Sequence, residues 1–557
     1  MAFKESTNII QALERAAREA GGRGISIFDR RGQQAEFHSY REMLQRARDR
    51  AGRLAAAGIG PGDRLLVCLS TSWELLDVLL GAMIRGALPT LVAPTGALGG
   101  AASQAVKIRS LLDLMGSKRL YCDEATRRLL IDFGEPAAAK LSLVPSELSA
   151  LVPPTALARH EVAPGDIAFM QLTSGSTGRQ RAVMIRHSNV MSNCEAIRLG
   201  LDFDSYSSDH GVVSWLPLNH DMGLIGCLLM PIVHGLGLQL LRPETFLARP
   251  QRWLQLMAGA KIAMSPSPNF AYQLCVERVD VADLAGCDLS RWKRALSGAE
   301  MIRPETCQAF SEKFAPVGFD PTSFLASYGM AEATLVITGD LKRKGIQTIA
   351  APTEARLGTN LNRLVSNGTP VYGTTLRISP PGTAHALPDG QIGEICVQGP
   401  GVFAGYYNDP DGTAAALQDG WLRTGDLGFL KEGELYITGR LKDVLIIHGH
   451  NVMPHEIEWL AESASGGGGI ERCGAFSVAR GAEGEQAVVV MEVAEIDDAA
   501  LNALAHEIRS RVGRALGLPL ADVVLVKRGQ IPKTTSGKVQ RGELRKRYLD
   551  NALERRL

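Results

Sequence analysis

Residues 171–181, Gln-Leu-Thr-Ser-Gly-Ser-Thr-Gly-Arg-Gln-Arg, combine glycine, hydroxyl and cationic side chains in one short segment. Glycine lets the backbone curl so that several N–H groups converge on phosphate oxygens, and the hydroxyl groups supply further donors. The residues before the segment are typical of a strand running into a loop. The spacing is not Gly-x-x-x-x-Gly-Lys-Ser/Thr, so this is not the usual P-loop. Taken alone, the segment indicates either a phosphate-binding loop or an ordinary polar turn.

Asp426 and Arg440 lie on either side of a predicted β-hairpin, whose turn falls at Glu432 and Gly433. Two antiparallel strands of this length bring Asp426 and Arg440 to the same end of the hairpin. A carboxylate there can accept hydrogen bonds from both hydroxyl groups of a ribose, and a nearby guanidinium can donate to the same sugar. A purely structural ion pair is the alternative.

Two further segments carry single charged groups. Tyr328 and Gly329 precede Glu332, and an aromatic ring, a flexible glycine and a carboxylate at a predicted helix start suit a loop that stacks on a base and holds magnesium. An ordinary acidic residue at a helix N-terminus is the alternative. Lys538 stands on a loop of Pro, Thr, Ser and Gly, from which its ammonium group can bridge a carboxylate and an α-phosphate. The alternative is a basic surface tail.

The order and joint presence of these four segments resemble the adenylate-forming superfamily, which includes acyl-CoA synthetases, peptide-synthetase adenylation domains and luciferase, over essentially the whole chain. Within it the chain is most similar to the fatty acyl-AMP ligases, in residues 214–226, 297–305, 310–334, 424–430 and 441–447. The resemblance implies joining of a fatty acid to AMP with ATP and Mg²⁺. It also implies transfer of the acyl group to the phosphopantetheine of an acyl carrier protein, largely excluding free coenzyme A.

The resemblance implies a role for each motif residue. The residues implied to bind phosphate are Thr173, Ser174, Gly175, Ser176, Thr177, Gly178 and Arg181. Those implied to line the adenine pocket are Gly298, Ala299, Glu300, Tyr328, Gly329, Met330 and Ala331. Asp426 and Arg440 would bind the ribose, and Glu332 would bind Mg²⁺. His220 would lie near the reacting carboxylate, and Lys538 would bridge carboxylate and α-phosphate. Lys442 occupies the position of the hinge between two domains. An insertion typical of the fatty acyl-AMP ligases corresponds to residues 341–363.

Two departures from the family pattern leave other functions open. Residues 180–182, Gln-Arg-Ala, stand where Pro-Lys-Gly is usual, and arginine keeps the charge but is bulkier and planar. Asn219 replaces an aromatic residue before His220, and Asp221 aligns with the position that anchors the amine in amino-acid-activating relatives. The alternatives are an acyl-CoA ligase, an amino- or aryl-acid adenylating enzyme, and an inactive nucleotide-binding paralogue.

The elements that must position these residues follow an α/β pattern. A chain of 557 residues predicts two or more domains. Short apolar runs alternate with amphipathic helical stretches up to about Gly439, and a smaller α+β pattern follows. Predicted strands include 166–172, 212–216, 237–241, 391–398 and 486–493, and predicted helices include 73–86 and 498–516. We therefore expect a large multi-subdomain α/β domain at 1–440 and a small mobile α+β domain at 441–557 that carries Lys538.

Charge and composition narrow the functional class. The chain has 60 Lys and Arg against 59 Asp and Glu, a net charge of +1, and lacks the basic excess of a nucleic-acid-binding protein. Its 9 scattered cysteines include no Cys-x-x-Cys pair, which is typical of free thiols in a reducing cytosol. Residues 223–241 approach a membrane span in length, but Pro231 and nearby glycines predict a helix followed by a buried strand. With no apolar signal core at the N-terminus, we expect a cytoplasmic enzyme without a transmembrane segment.

Overall fold

The structure, a computed structural model, describes residues 6–29, 31, 33–94, 101–155, 160–174, 180–201, 211–259, 262–339, 344–350, 363–447, 450–465, 473–479, 485–533 and 538–556. The strands are β1 (Gly24–Phe28), β2 (Gln34–Ser39), β3 (Arg64–Cys68), β4 (Leu88–Leu91), β5 (Arg119–Cys122), β6 (Ser142–Leu143), β7 (Ile167–Ser174), β8 (Gln180–Arg186), β9 (Gly211–Ser214), β10 (Gly237–Leu240), β11 (Ile262–Ser267), β12 (Arg294–Ser297), β13 (Phe324–Gly329), β14 (Val336–Gly339), β15 (Thr348–Ile349), β16 (Leu364–Val365), β17 (Thr369–Pro370), β18 (Thr375–Ser379), β19 (Gly393–Gln398), β20 (Leu417–Gln418), β21 (Trp421–Lys431), β22 (Glu434–Arg440), β23 (Leu445–Ile447), β24 (His450–Val452), β25 (Cys473–Ala479), β26 (Glu485–Glu492) and β27 (Leu520–Val526).

The α-helices are α1 (Ile9–Glu19), α2 (Tyr40–Ala56), α3 (Trp73–Ile84), α4 (Ala101–Met115), α5 (Glu124–Asp132), α6 (Pro136–Lys140), α7 (Pro145–Ala150), α8 (His187–Gly200), α9 (Met230–His234), α10 (Pro243–Ala248), α11 (Gln251–Gly259), α12 (Asn269–Arg278), α13 (Pro304–Phe314), α14 (Pro410–Ala416), α15 (Pro454–Ala464), α16 (Asp498–Leu516) and α17 (Arg541–Leu549). A π-helical segment, Met222–Leu229, runs directly into α9.

Two large sheets, both mainly parallel, form the body of the fold. One has the strand order β17-β14-β13-β12-β11-β9-β10-β1-β2, and the other the order β6-β5-β3-β4-β7-β8. Their strands are nearly continuous apolar runs because helices cover both faces of a parallel sheet. Helix α3 is buried along almost its whole length, as expected for a helix that is apolar on all sides. Side chains from both sheets share one large apolar core, so the two sheets pack as a single body.

After β17 the described chain forms two smaller sheets and one two-stranded pair, β23 with β24. In the first, β18, β19, β21 and β20 lie in that order, and β22 pairs with β21. In the second, β25, β26 and β27 form a three-stranded sheet covered by α15 and α16, with a separate apolar core. The described strands from β23 onward pair only with one another. The division at residues 440 and 441, and the hinge at Lys442, stay predictions.

The α/β prediction is confirmed, and most predicted elements lie within a few residues of the observed ones. Helix α16 has the predicted bounds, and residues 223–241 form the π-helical segment, α9 and the buried strand β10, as expected. In the described ranges no helix is long and apolar enough to cross a membrane. All nine cysteines are free thiols, and only Cys287 is more than marginally exposed.

Candidate active site

Strands β7 and β8 form the hairpin that carries the predicted phosphate loop. Thr173 lies opposite Arg181 in the register of this hairpin. Gly175, Ser176, Thr177 and Gly178, and the side chain of Ser174, lie outside the described residues. The Gln171 amide on β7 donates a hydrogen bond of 2.6 Å to the carbonyl of Asn219, which ties this hairpin to the segment that carries His220.

Arg181, which stands where a lysine is usual, contacts two residues of a later segment. Its Nε lies 3.2 Å from Oδ2 of Asp409, and its Cζ lies 4.8 Å from the centroid of the Tyr406 ring. The segment that contains these two residues is hydrogen-bonded along β8, where the N–H of Tyr407 donates to the carbonyl of Ala182. The guanidinium therefore stands beside the hairpin in a fixed orientation.

His220 and Asp221 stand between β9 and the π-helical segment. The carbonyl of His220 accepts a hydrogen bond of 2.8 Å from the N–H of Leu224, and Oδ1 of Asp221 accepts one of 2.7 Å from the N–H of Met222. These bonds fix both residues at the beginning of the helical segment. Both side chains are half-buried and so remain accessible from the cleft.

Gly298, Ala299 and Glu300 follow β12. A Cβ on Gly298 would lie 2.9 Å from the carbonyl oxygen of Ser327, so only glycine fits there. Ala299 has φ of 66°, a left-handed conformation that turns the chain sharply after the strand. The carboxylate of Glu300 accepts a hydrogen bond of 2.6 Å from the N–H of Phe270, which holds the loop open to the cleft.

The segment from Tyr328 to Glu332 differs in two respects from the sequence-based interpretation. Gly329 was expected to give flexibility, but a Cβ there would lie 1.8 Å from the carbonyl oxygen of Leu335, so close packing requires the glycine. Glu332 was expected at a helix start, but it lies in the middle of a single 3₁₀ turn, Ala331–Ala333. Met330 and Ala331 connect the two, and the N–H of Met330 donates to the same Leu335 carbonyl at 3.0 Å.

Glu332 is a buried carboxylate, with 8% of its surface exposed. Its Oε1 accepts a hydrogen bond of 2.8 Å from the hydroxyl of Tyr406. Burial raises the pKa of Glu332, the Tyr406 hydrogen bond opposes this rise, and the nearby charge of Asp221 adds to it. A bound cation would offset the negative charge of the two carboxylates, so these residues fit Mg²⁺. The described residues contain no cluster of three acidic, His or Cys side chains that could hold a metal ion.

Asp426 connects Arg440 and Tyr328, through an ion pair with the first and a hydrogen bond with the second. Asp426 and Arg440 are direct partners in the register of β21 and β22, with Nε of Arg440 3.1 Å from Oδ1 of Asp426. The Tyr328 hydroxyl donates to the other carboxylate oxygen at 2.7 Å. Asp426 raises the pKa of Arg440, while burial, followed by the charge of Asp426, raises the pKa of Tyr328. The prediction that the hairpin brings Asp426 and Arg440 to the same end is confirmed, and the role of the pair stays a prediction.

Lys538 follows β27 and precedes α17, and its side chain is largely accessible. Loss of hydration beside the surrounding protein, followed by repulsion from Arg440, lowers the pKa of Lys538, and the carboxylates of Asp221, Glu300 and Asp426 oppose this shift. Lys538 therefore lies within electrostatic range of Glu300 after β12, Asp426 on β21, Arg440 on β22 and Asp221 before the π-helical segment. This arrangement brings the C-terminal lysine to the same cleft as the other predicted site residues.

Lys442 lies in a short 3₁₀ turn, Leu441–Asp443, between β22 and β23. Loss of hydration and then repulsion from Arg440 lower the pKa of Lys442 as well. Nearby, Arg541 of α17 forms ion pairs with Asp443 at 3.3 Å and with Glu458 of α15 at 2.7 Å. These ion pairs connect the turn to the C-terminal sheet and its helices.

A second contact holds α15 against the body of the fold. Nη2 of Arg303 lies 2.5 Å from Oε2 of Glu462, and the Arg303 guanidinium stacks over the Trp459 ring with Cζ 4.7 Å from its centroid. Arg303 directly precedes α13, whereas Trp459 and Glu462 belong to α15. This contact connects α15 to the residue that precedes α13.

The sequence interpretation missed Tyr406 and Asp409. The segment Gly-Tyr-Tyr-Asn-Asp-Pro-Asp-Gly-Thr at 405–413 reads as a turn, and Asp409 does cap α14 by accepting from the N–H of Gly412 at 2.8 Å. The one available signal was a pair of adjacent tyrosines in a polar segment, which alone does not indicate a partner. The contact of Tyr406 with Glu332 spans 74 residues of chain.

Similarity to known proteins identifies the class to which this cleft belongs. Residues 13–407 match the family described as AMP-binding enzyme, so the chain belongs to that family. It is a ligase of the adenylate-forming superfamily, and its nucleotide substrate is ATP. Lys538 and the three-stranded C-terminal sheet both lie beyond the matched residues.

Relatives of similar length make the resemblance more specific. A Caulobacter vibrioides protein provisionally named an acyl-CoA synthetase is 34% identical to this chain. The aligned region covers 98% of this chain and 96% of the relative. The medium-chain-fatty-acid–[acyl-carrier-protein] ligase JamA of Moorena producens is 31% identical over 100% of this chain and 97% of its own. A structure from work on fatty acyl-adenylate ligases of E. coli and L. pneumophila superposes with a TM-score of 0.89 at 30% identity, covering 99% of both chains. The adenylate-forming fold and the resemblance to fatty acyl-AMP ligases are confirmed.

Proposed function

We propose that this protein activates a fatty acid as acyl-AMP and passes the acyl group to the phosphopantetheine of an acyl carrier protein. The observation that carries the proposal is the convergence of Glu332, Asp426, Arg440 and Lys538 on one cleft. The similarity to fatty acyl-adenylate ligases supports the first half of the reaction. The similarity to JamA supports the second half.

In the first half-reaction, a carboxylate oxygen of the acid attacks the α-phosphorus of ATP. The bond from that phosphorus to the bridging oxygen breaks, pyrophosphate leaves, and acyl-AMP forms. Lys538 would hold the acid and the α-phosphate together and offset the negative charge that gathers there. Asp426 and Arg440 would fix the ribose, so that the phosphorus stays in line with the attacking oxygen.

The remaining residues would position the other parts of the substrates. Tyr328 and the loop of Gly298, Ala299 and Glu300 would enclose the adenine, and His220 would face the carboxylate of the acid. Mg²⁺, when bound at Glu332, supplies positive charge that neutralises phosphate oxygens. Burial of Glu332 raises its pKa, and cation binding would restore the charged carboxylate.

In the second half-reaction, the thiolate of phosphopantetheine attacks the acyl carbon. A thioester bond forms, the bond from the acyl carbon to the AMP oxygen breaks, and AMP leaves with that electron pair. The thiol proton is lost to solvent before attack. Lys538 has no role in this step, so a rotation about Lys442 would remove it and present a different face of the C-terminal sheet.

Exclusion of free coenzyme A is proposed to depend on the insertion at 341–363. Within its described part, Ile346 packs against the aromatic core beside the nine-stranded sheet, and β15 pairs with β16. Lys344 lies 3.9 Å from Glu434 on β22. Leu364 on β16 and Trp459 on α15 line one small pocket between the two parts of the chain. The described residues of the insertion therefore contact β22 at Lys344 and share a pocket with α15 at Arg363.

Removal of residues 342–360 tests this part of the proposal. We expect the shortened protein to keep ATP–pyrophosphate exchange and to gain acyl-coenzyme A formation, because the restraint on movement of α15 is lost. A matched control removes residues 203–209, which stand between α8 and β9 in sequence and belong neither to the insertion nor to the residues that line this pocket. Equal coenzyme A use by the intact protein and the shortened one would contradict the role of the insertion.

The experiment that tests the whole proposal has two stages. ATP–pyrophosphate exchange over a panel of fatty, aryl and amino acids identifies the acid. Acyl transfer is then compared among a carrier protein with phosphopantetheine, the same carrier without it, and free coenzyme A. We expect transfer only to the carrier with phosphopantetheine. An acyl-CoA ligase is the second candidate, favoured by the name of the Caulobacter vibrioides relative, and rapid transfer to coenzyme A would establish it instead.

A further inference from the structure

A relay of three side chains connects the phosphate hairpin to the buried carboxylate of Glu332. Arg181 lies on β8, opposite Thr173, and its guanidinium stacks over the Tyr406 ring at 4.8 Å from the centroid. The Tyr406 hydroxyl in turn donates to Oε1 of Glu332 at 2.8 Å. Arg181 and Glu332 thus both contact the side chain of Tyr406.

The backbone around Tyr406 is fixed on both sides. The N–H of Met184 donates to the carbonyl of Gly405 at 3.0 Å, so the segment runs along β8 as an added strand. The N–H of Tyr406 donates to Oγ1 of Thr413 at 2.9 Å, and the N–H of Phe403 donates to the carbonyl of Glu332 at 2.9 Å. With its backbone held in this way, Tyr406 delivers its hydroxyl to Glu332 in one orientation.

Arg181 is itself restrained by an ion pair. Its Nε lies 3.2 Å from Oδ2 of Asp409, whose other carboxylate oxygen caps α14. A planar guanidinium stacks on an aromatic ring in a way that a lysine ammonium does not. The positive charge above the ring also favours donation by the phenolic O–H. The arginine that replaces the usual lysine of the loop thus suits contact with Tyr406.

We propose that Tyr406 is a positioning residue that aims the Glu332 carboxylate at the metal, and that Arg181 and Asp409 fix Tyr406. The proposal rests on the proposed role of Glu332 in holding Mg²⁺. Residues that hydrogen-bond to a metal ligand orient it, and their loss typically costs about 10- to 100-fold in metal affinity. The phosphate hairpin and the metal carboxylate would then form one rigid unit.

Tyr406→Phe is the direct test, because it removes only the hydroxyl and keeps the buried ring. The matched control is Tyr407→Phe, because consecutive residues of an extended segment point to opposite faces. Tyr407 lies instead beside Arg64, whose Cζ is 5.9 Å from the centroid of the Tyr407 ring. Binding of ATP is measured by calorimetry at increasing Mg²⁺, without any acid. We expect Tyr406→Phe to need about tenfold more Mg²⁺ for half-maximal binding, and Tyr407→Phe to match the wild type.

Catalysis provides a second measurement on the same variants. At saturating Mg²⁺ and ATP, kcat of Tyr406→Phe should approach that of the wild type, because the carboxylate is still present and only its orientation is lost. Arg181→Lys should also raise the Mg²⁺ concentration needed for half-maximal ATP binding. In the double variant with Tyr406→Phe, the increase should be smaller than the two single effects combined, because both changes break the same relay. Full additivity would contradict a relay.

Glu332→Gln separates this inference from the proposed function. If Glu332→Gln leaves the Mg²⁺ dependence of ATP binding unchanged, Glu332 does not hold the metal and both proposals about it fail. If Glu332→Gln raises the Mg²⁺ requirement and Tyr406→Phe behaves like the wild type, the metal assignment stands and the positioning role of Tyr406 is overturned.

Discussion

Replacement of Asp426 by alanine should weaken ATP binding through loss of contacts to the ribose. In the structure Asp426 is 7% exposed, accepts a hydrogen bond from Tyr328 at 2.7 Å and forms an ion pair with Arg440 at 3.1 Å. A hydrogen bond to a charged group contributes about 1.5–3 kcal/mol. Loss of the bonds to the ribose should therefore raise the Kd for ATP by about 10- to 150-fold.

The same change should also lower the stability of the fold. Without Asp426, the buried Tyr328 hydroxyl loses its acceptor, which costs about 1–3 kcal/mol. The Arg440 side chain is 47% exposed, so loss of its ion pair adds little. Asp426→Asn keeps one acceptor for Tyr328, and should therefore retain more stability than Asp426→Ala while still binding ATP weakly.

Comparison of ATP with its 2′,3′-dideoxy analogue isolates the ribose contact. Calorimetry gives the Kd of each nucleotide. The ratio of the two Kd values in the wild type should equal the factor by which Asp426→Ala raises the Kd for ATP, and the variant should bind both nucleotides with the same Kd. Asp77→Ala serves as the control, because Asp77 is also buried and forms an ion pair with Arg46 at 2.7 Å between α2 and α3. If Asp426→Ala still prefers ATP as strongly as the wild type does, Asp426 belongs to a structural ion pair and the reasoning is refuted.

Three further predictions follow from the described geometry. Lys442→Pro fixes φ, so acyl transfer should fall while adenylation is largely retained, as measured in separate half-reaction assays; normal rates in both would place the hinge elsewhere. The pKa of Lys538 is lowered from 10.5, so adenylation should decline with rising pH below that value as the ammonium loses its proton, and the residual rate of Lys538→Ala should lack this decline. Burial lowers the pKa of His455 from 6.5 to about 3. Between these two pH values the imidazole is protonated in the unfolded chain but stays neutral in the folded one. The stability that the neutral ring confers is complete above pH 6.5 and declines towards pH 3, so the heat-unfolding midpoint should fall on acidification, and less steeply in His455→Phe.

The sequence predicted those parts of the site that depend on local geometry. Asp426 and Arg440 could be placed at the same end of the hairpin because a two-residue turn at Glu432 and Gly433 joins two antiparallel strands of known length. Their direct pairing could not be predicted, because it depends on a register shift between Leu427 and Gly428. The regularity of apolar runs and helical spacing predicted the α/β architecture and the bounds of α16.

Contacts across long stretches of chain could not be predicted in this way. Tyr406 meets Glu332 only because residues 403–407 pair with β8 as an added strand, and no local pattern specifies that pairing. Gly329 was attributed to flexibility because the approach of the Leu335 carbonyl is a tertiary contact. The surroundings of Glu332 in its 3₁₀ turn likewise come from distant residues, because its carbonyl accepts from the N–H of Phe403 and its carboxylate from the hydroxyl of Tyr406.

Direct detection of acyl-adenylate tests the central claim. The protein is incubated with ATP, Mg²⁺ and a fatty acid in the absence of any thiol acceptor, and the products are identified by mass spectrometry. We predict acyl-AMP and pyrophosphate in equal amounts, with formation slowed roughly a hundredfold or more in Lys538→Ala. Release of ADP and phosphate, or of pyrophosphate without acyl-AMP over the whole acid panel, would contradict the account.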